Sequence, residues 1–229
     1  MENPIIIEYT FDDKVINDAE GVYPIILPLD AKIASGPRSS KSIYLGPSGG
    51  FQADISKVPC SNITKFHINI VFNLNEEFQG RQVLAESKKL PFTLELIGDA
   101  SSVKLIGSVR SAAIGWGSTE AWNSGIRHGI WHSSDLIFDG DTLTLFLDRR
   151  VVSYYSFGTV VQLEINTLAR TVLIGGYGST AFNGRIASFK LSREIPNNLQ
   201  ALANHLNTTL NGTSRPNSKR CGTSLTSDF

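Results

Sequence analysis

The sequence predicts an all-β protein, an antiparallel β-sandwich that ends in a short helix and a polar tail. Three observations predict it. Phe66, Ile68, Ile70 and Phe72 alternate with His67, Asn69, Val71 and Asn73, and Leu143, Leu145 and Leu147 alternate with Thr142, Thr144, Phe146 and Asp148. A period of two marks half-buried strands, whose successive side chains point to opposite faces. Asp139-Gly140 falls between two apolar runs, and Asp-Gly supplies the positive φ that a tight hairpin requires. The remaining chain repeats short apolar runs broken by turn residues, the pattern of a sandwich.

In chain order, Ile5, Ile7, Tyr9 and Phe11 share one face of a first strand over residues 4–11. An acidic loop follows from Asp12 to Gly21. Residues 22–38 hold Pro24, Pro28 and Pro37 and are expected to be extended or looped. Ser42 to Leu45 is a short strand before the turn cluster Gly46-Pro47-Ser48-Gly49-Gly50. Strands are then expected at Phe66–Leu74, Gln82–Glu86, Phe92–Ile97 and Val103–Val109. Residues 111–130, rich in Gly and Trp, read as a long loop crossing to the hairpin of residues 131–152. Val160–Ile165, Thr171–Gly175 and Gly184–Leu191 complete the strands. Beyond Ile195, the residues Leu199, Leu202, Ala203 and Leu206 recur at helical spacing, with Pro196 suited to a first turn. From Thr208 onward the chain is polar and expected to hold little fixed structure.

The hairpin as a whole, Trp131-His132, strand, Asp139-Gly140, strand, turn, resembles that of laminin-G-like domains in the concanavalin-A-like lectin/glucanase superfamily. Asp148-Arg149 departs from the second Asp-Gly common there. Ile174-Gly175-Gly176, Phe182 to Ile186 and Phe189-Lys190-Leu191 resemble the closing strands. Tyr9 to Asp13 with Asn17 to Gly21 resembles the opening strand and loop, and residues 42–51 resemble the strand before the first broad sheet segment. The resemblance covers roughly residues 5–195. It implies a concanavalin-A-like (laminin-G-like) jelly roll over residues 1–195, followed by the helix and tail of residues 196–229.

Composition narrows function. Twenty-one basic residues balance twenty-one acidic ones among 229, which gives no electrostatic case for nucleic acid or an anionic membrane. No apolar run approaches the length of a membrane span. The N-terminus lacks the basic and apolar regions of a secretory signal, so the protein is expected inside the cell, or outside it with a signal already removed. Cys60 and Cys221 could pair or remain free thiols. Asn62, Asn207 and Asn211 open glycosylation triplets that matter only in a secreted protein.

Enzymes of this superfamily that cleave glucans carry clustered acids on one strand, in the pattern Glu-x-Asp-x-x-Glu. Retaining chemistry needs two carboxyl groups about 5 Å apart. That pattern is missing: Glu76-Glu77 lie in a polar turn, and Glu95 and Glu164 are lone acids. His128 and His132 flank Gly129 outside a helix, so helical ligand spacing does not apply, and zinc needs a third ligand. Asp12, Asp13 and Asp18 are the metal candidates, because calcium takes several oxygen ligands from acidic loops. The alternative is that these carboxylates cap turns.

Trp116, Trp122 and Tyr177 lie among glycines, where rings can serve as platforms for a sugar face, and Asn123 and Asn183 can bond hydroxyls. The alternative is that both tryptophans close the sandwich as lids on its core. The expected function is therefore a non-catalytic recognition module for carbohydrate or a protein surface, with calcium as a candidate aid. Its ligand residues would be Trp116, Glu120, Trp122, Asn123, His128, Tyr177 and Asn183. The competing expectation is an enzyme with a site near His128 and Glu120, helped by His132 and Tyr177.

Overall fold

A computed structural model describes residues 5–11, 25–28, 30–46, 49–59, 63–76, 78–99, 101–122 and 124–211, without the side chains of residues 26 and 205–211. The chain divides into two units, Met1–Ile195 and Pro196–Phe229. The second holds the helix α1 (Asn197–Asn211), whose first turn is closed by the Leu199 and Gln200 amides donating to the Pro196 carbonyl at 2.9 Å.

The first unit is an all-β sandwich of two antiparallel sheets. Its strands are β1 (Ile5–Thr10), β2 (Ile25–Ile26), β3 (Lys32–Ser35), β4 (Lys41–Leu45), β5 (Phe51–Asp54), β6 (Phe66–Leu74), β7 (Gly80–Ser87), β8 (Phe92–Gly98), β9 (Val103–Ser111), β10 (Gly115–Ala121), β11 (Trp131–Phe138), β12 (Thr142–Leu147), β13 (Arg150–Ser156), β14 (Thr171–Ile174) and β15 (Gly184–Ser192). One sheet has the order β13-β12-β11-β6-β15-β4-β3, with β1 also on β15. The other has the order β10-β9-β8-β7-β14-β5-β2.

The inner faces meet through aromatic rings. Phe66 of the first sheet lies 5.7 Å from Phe92 of the second, and Tyr9 meets Phe51 edge-on at 6.0 Å. All four are fully buried, and each such pair adds about 0.5–1.5 kcal/mol beyond its buried area. The alternation of β6 is what places Phe66, Ile68, Ile70 and Phe72 in this layer and turns His67, Asn69, Val71 and Asn73 outward.

The hairpin forms where its turn residues require it. The Asp139 amide donates to the Thr142 carbonyl at 3.2 Å, and Gly140 has φ 108°. The second turn is Asp148-Arg149, between the paired Leu147 and Arg150, with φ of 50° and 65°. Two left-handed residues suit the twist of a two-residue hairpin, here without glycine.

Three expectations need correction. Residues 111–130 are not one long loop, because Gly115–Ala121 is β10, paired along its length with β9. Its inward positions are Gly117, Thr119 and Ala121, small because an ideal Cβ on Gly117 would lie 2.5 Å from the Phe157 ring. Small inward residues erase the apolar alternation by which a strand is read. Val160–Ile165 is not a strand but makes one isolated bridge, Ser111 to Leu163. There β9 turns away into β10, so a longer ladder has no partner. β12 is buried at every position rather than on one face. Residues 22–38 are partly extended, as expected, and contribute the short strands β2 and β3, each at the edge of its sheet, where neighbouring prolines are tolerated.

Candidate functional site

The sandwich has two ends, and the sequence candidates divide between them. β6, β8, β14 and β10 finish at one end, and β9, β11 and β15 begin there. The register proves this, since Trp131 pairs with Asn73, Gly184 with Leu74, and Gly98 with Val103. The rim at this end carries Trp122, His128, Tyr177 and Asn183, with Glu120 on the last turn of β10 toward it. Trp116 lies at the far end. Six residues of strand separate it from Trp122, about 20 Å at the strand rise.

Trp122 closes β10 and is 66% exposed. The Lys104 Nζ lies 3.6 Å from its ring centroid and donates to Glu120 Oε2 at 2.9 Å. One ring face is thus held by a lysine and the other meets solvent. A cation over an exposed indole is worth about 0.5–1 kcal/mol, enough to fix the ring's orientation. The loop that follows is tied back by Ser124 Oγ, which donates to the Val103 carbonyl at 2.9 Å. Beside it, the β8–β9 turn is closed by Asp99 Oδ1, which accepts from the Ser101 hydroxyl and from the Ser101 and Ser102 amides. Those bonds, the hydroxyl's first, hold the Asp99 carboxyl below its ordinary pKa.

The middle of the rim is cross-linked internally. The His128 Nδ1–H donates to the Asn75 carbonyl at 2.6 Å. The Asn75 amide donates to the Asn183 carbonyl, and Asn75 Nδ2 donates to Asn183 Oδ1, both at 3.2 Å. The Asn183 amide in turn donates to Gln82 Oε1 at 2.9 Å. Asn183 is therefore half-buried and staples two sheets rather than offering its carboxamide oxygen to a ligand. His128 Nε2 is buried with no partner among the described residues, and the Phe78 ring lies 6.4 Å from the imidazole.

His132 is a structural residue. Its Nδ1–H donates to Asp148 Oδ2 at 2.8 Å, and its Nε2 accepts from the Arg127 amide at 3.0 Å. Asp148 Oδ1 also accepts from the Ser133 amide at 2.9 Å. Both ring nitrogens are occupied, so the imidazole has no free position for metal or proton transfer.

Tyr177 stands beyond β14 and is 47% exposed. Its carbonyl accepts from the Thr180 amide and hydroxyl, closing the turn Gly178–Thr180. A Cβ on Gly49 would lie 3.1 Å from Tyr177 Cδ1, so the ring rests directly on backbone. Four strand steps separate β14 from β10, about 19 Å at the usual spacing. Trp122 and Tyr177 thus mark two stations across one rim.

Asn123, and the metal candidates Asp12, Asp13 and Asp18, lie outside the described residues, as do Cys60 and Cys221. Among the described residues no group of three or more His, Cys, Asp or Glu could hold a metal. The reading of Trp116 and Trp122 as core lids is overturned by exposures of 55% and 66%. Lys104 and Asn75 were missed. The alternation of β9 turns Lys104 outward, but its partner strand was unread, and nothing local distinguishes Asn75 from a turn asparagine.

No protein-family model and no curated protein matches the chain. Solved structures do match. The binding domain of botulinum neurotoxin serotype G superposes with a TM-score of 0.67 at 12% identity, over 90% of this chain and 52% of that one. The binding domain of Paraclostridial Mosquitocidal Protein 1 gives 0.65 at 15% identity, over 89% and 52%. Domain 4 of AbnA, an extracellular arabinanase from Geobacillus stearothermophilus, in complex with arabinotriose, gives 0.61 at 14% identity, over 89% of this chain and all of that one. The chain spans about half the length of the toxin binding domains. At these identities the likeness is one of fold. Among the described residues no helix is long and apolar enough to cross a membrane.

Proposed function

We propose that the protein is a non-catalytic recognition module that binds an oligosaccharide along the rim from Trp122 to Tyr177. The observation that carries this reading is the exposed, lysine-backed indole of Trp122. A ring held on one face and open on the other suits the apolar C–H face of a sugar. The spacing of the two aromatics favours a ligand several rings long. The arabinotriose in the similar arabinanase domain and the laminin-G-like cast of the hairpin support the same class of function. The geometry gives the enzyme reading little support: Glu120 is committed to Lys104, and among the described residues no carboxylate contacts His128.

Calcium belongs to this proposal through Asp12, Asp13 and Asp18, on the strength of the sequence alone. An ion bound only by the native state raises the melting temperature by mass action. Identical melts with calcium and with chelator, and a silent Asp18→Ala, would remove calcium from the reading.

An oligosaccharide array, probed with and without calcium, tests the function. Trp122→Ala and Tyr177→Ala should each abolish the strongest signals while shifting stability by no more than about 1 kcal/mol, since both rings are exposed. Trp116→Ala, at the far end, should leave binding intact. Loss of binding on Trp116→Ala with Trp122→Ala silent would move the site to the other end of β10.

A further inference from the structure

A second feature lies at the same strand ends, beside the rim but on the outer face of the eight-stranded sheet. Lys32 pairs with Tyr44, Tyr44 with Arg185, Arg185 with Asn73, and Asn73 with Trp131. These five residues form one row across β3, β4, β15, β6 and β11. Their chain neighbours Ile43, Leu45, Ile186, Phe72 and His132 are buried on the inner side, which turns the row outward. It holds two basic groups, two aromatic rings and one carboxamide, and no acid interrupts it.

At its centre, Arg185 Nη2 donates to Asn73 Oδ1 at 3.2 Å, and the guanidinium carbon stands 5.4 Å from the Trp131 ring centroid. That bond fixes the Asn73 carboxamide, because the flipped form would set its NH2 against a donor. Among the described residues Asn73 Nδ2 is then a buried donor without an acceptor, in a side chain only 3% exposed. Buried amide donors are almost always paired. No carboxylate among the described residues pairs with Arg185, and Arg185, Tyr44 and Trp131 are all partly exposed.

We propose that this row is a binding subsite for an acidic sugar, a pyranose ring bearing a carboxylate. The carboxylate takes the forked N–H groups of Arg185, a bidentate geometry guanidinium favours, and supplies the acceptor that Asn73 Nδ2 lacks. Trp131 and Tyr44 flank the ring, and Lys32 adds positive charge at the end of the row. This subsite uses neither Trp122 nor Tyr177 and stands or falls independently of the reading that places an oligosaccharide on them.

The full chain, labelled with 15N, is titrated with glucuronate, glucose and acetate at low salt. Glucuronate should shift the Trp131 indole and Asn73 side-chain amide signals saturably, with glucose at least tenfold weaker. Arg185→Ala should abolish the response. Asn73→Asp, nearly isosteric and able to pair with Arg185, should keep the fold and also abolish it by placing a like charge against the ligand. Trp122→Ala should leave it unchanged, whatever that variant does to oligosaccharide binding. An equal response to glucose, an equal affinity for acetate, or a glucuronate response that survives Asn73→Asp would each overturn the proposal.

Discussion

Gly117→Ala is the sharpest perturbation of β10, the strand that carries both exposed tryptophans. The added methyl would fall 2.5 Å from Phe157 Cζ, 2.6 Å from Phe157 Cε1 and 2.8 Å from Tyr155 Cε1. Neither ring can simply withdraw. Tyr155 and Phe157 stack edge-on at 4.9 Å, and Phe157 meets Phe138 at 5.9 Å. Overpacking of this kind costs about 1–3 kcal/mol. Restricting the unfolded chain returns about 0.4–1 kcal/mol. The balance is a loss of ~1.3 kcal/mol, which lowers the melting temperature by roughly 3–5 °C for a chain of this size. Calorimetry of Gly117→Ala, Phe157→Leu and the double variant reads the effect. The double variant should lose less than the sum of the singles, because the smaller side chain leaves room for the methyl. An unshifted melt for Gly117→Ala, or strict additivity, would refute the argument that ring packing forbids a side chain here.

Gly140→Val should cost about 1 kcal/mol or more, since a β-branched residue resists the positive φ of that turn although the nearest atom to its Cβ is 3.6 Å away; a thermal melt checks it. Asp148→Ala should cost about 1 kcal/mol or more by removing the acceptor of the buried His132 Nδ1–H, with the exposed Ser133 amide turning to water, read by urea unfolding. Asp139 has its pKa raised above 3.8, first by burial and then by neighbouring Asp141. The folded state therefore holds that proton more tightly than the unfolded one, and this group withdraws stability as pH rises from the ordinary carboxylate range through the folded pKa. Asp139→Asn keeps the acceptor for the Thr142 amide, so its melting temperature should exceed the parent's at pH 7 and converge with it in acid.

The sandwich was legible wherever large apolar residues alternated. β6 was read to its last residue because four bulky inward positions recur at a period of two, and the hairpin because Asp139-Gly140 fits only a tight turn. β10 was not, since its inward positions are Gly, Thr and Ala. The physical cause lies nearly forty residues away, in Tyr155 and Phe157, which fill the space those side chains would occupy. Aromatic exposure was legible only in part. Gly-rich surroundings marked Trp116, Trp122 and Tyr177 together, but strand length separates Trp116 from the others. The repeated Gly-Ser-Thr of residues 117–119 and 178–180 likewise falls in a strand once and in a short turn once. Partners that face each other across strands, such as Lys104 with Trp122 or Arg185 with Trp131, depend on register and leave no local signature.

The polar residues of the rim explain why recognition should fall to its rings. His132, Asp148, Arg127 and Ser133 bond one another, and His128, Asn75, Asn183 and Gln82 form a second chain of bonds. These side chains and amides are spent holding loops to strand ends, and their groups have little left for a ligand. Among the described residues, the exposed aromatic rings at this rim are Trp122, braced by Lys104, and Tyr177, braced by the glycine backbone at Gly49. A braced ring loses little freedom on binding, so the gain from stacking a sugar is not returned as ordering entropy. The same logic separates the outer-face row, where Asn73 Nδ2 is left unbonded. There the sheet's ladder does not use that donor, which leaves it for the acceptor of the proposed ligand.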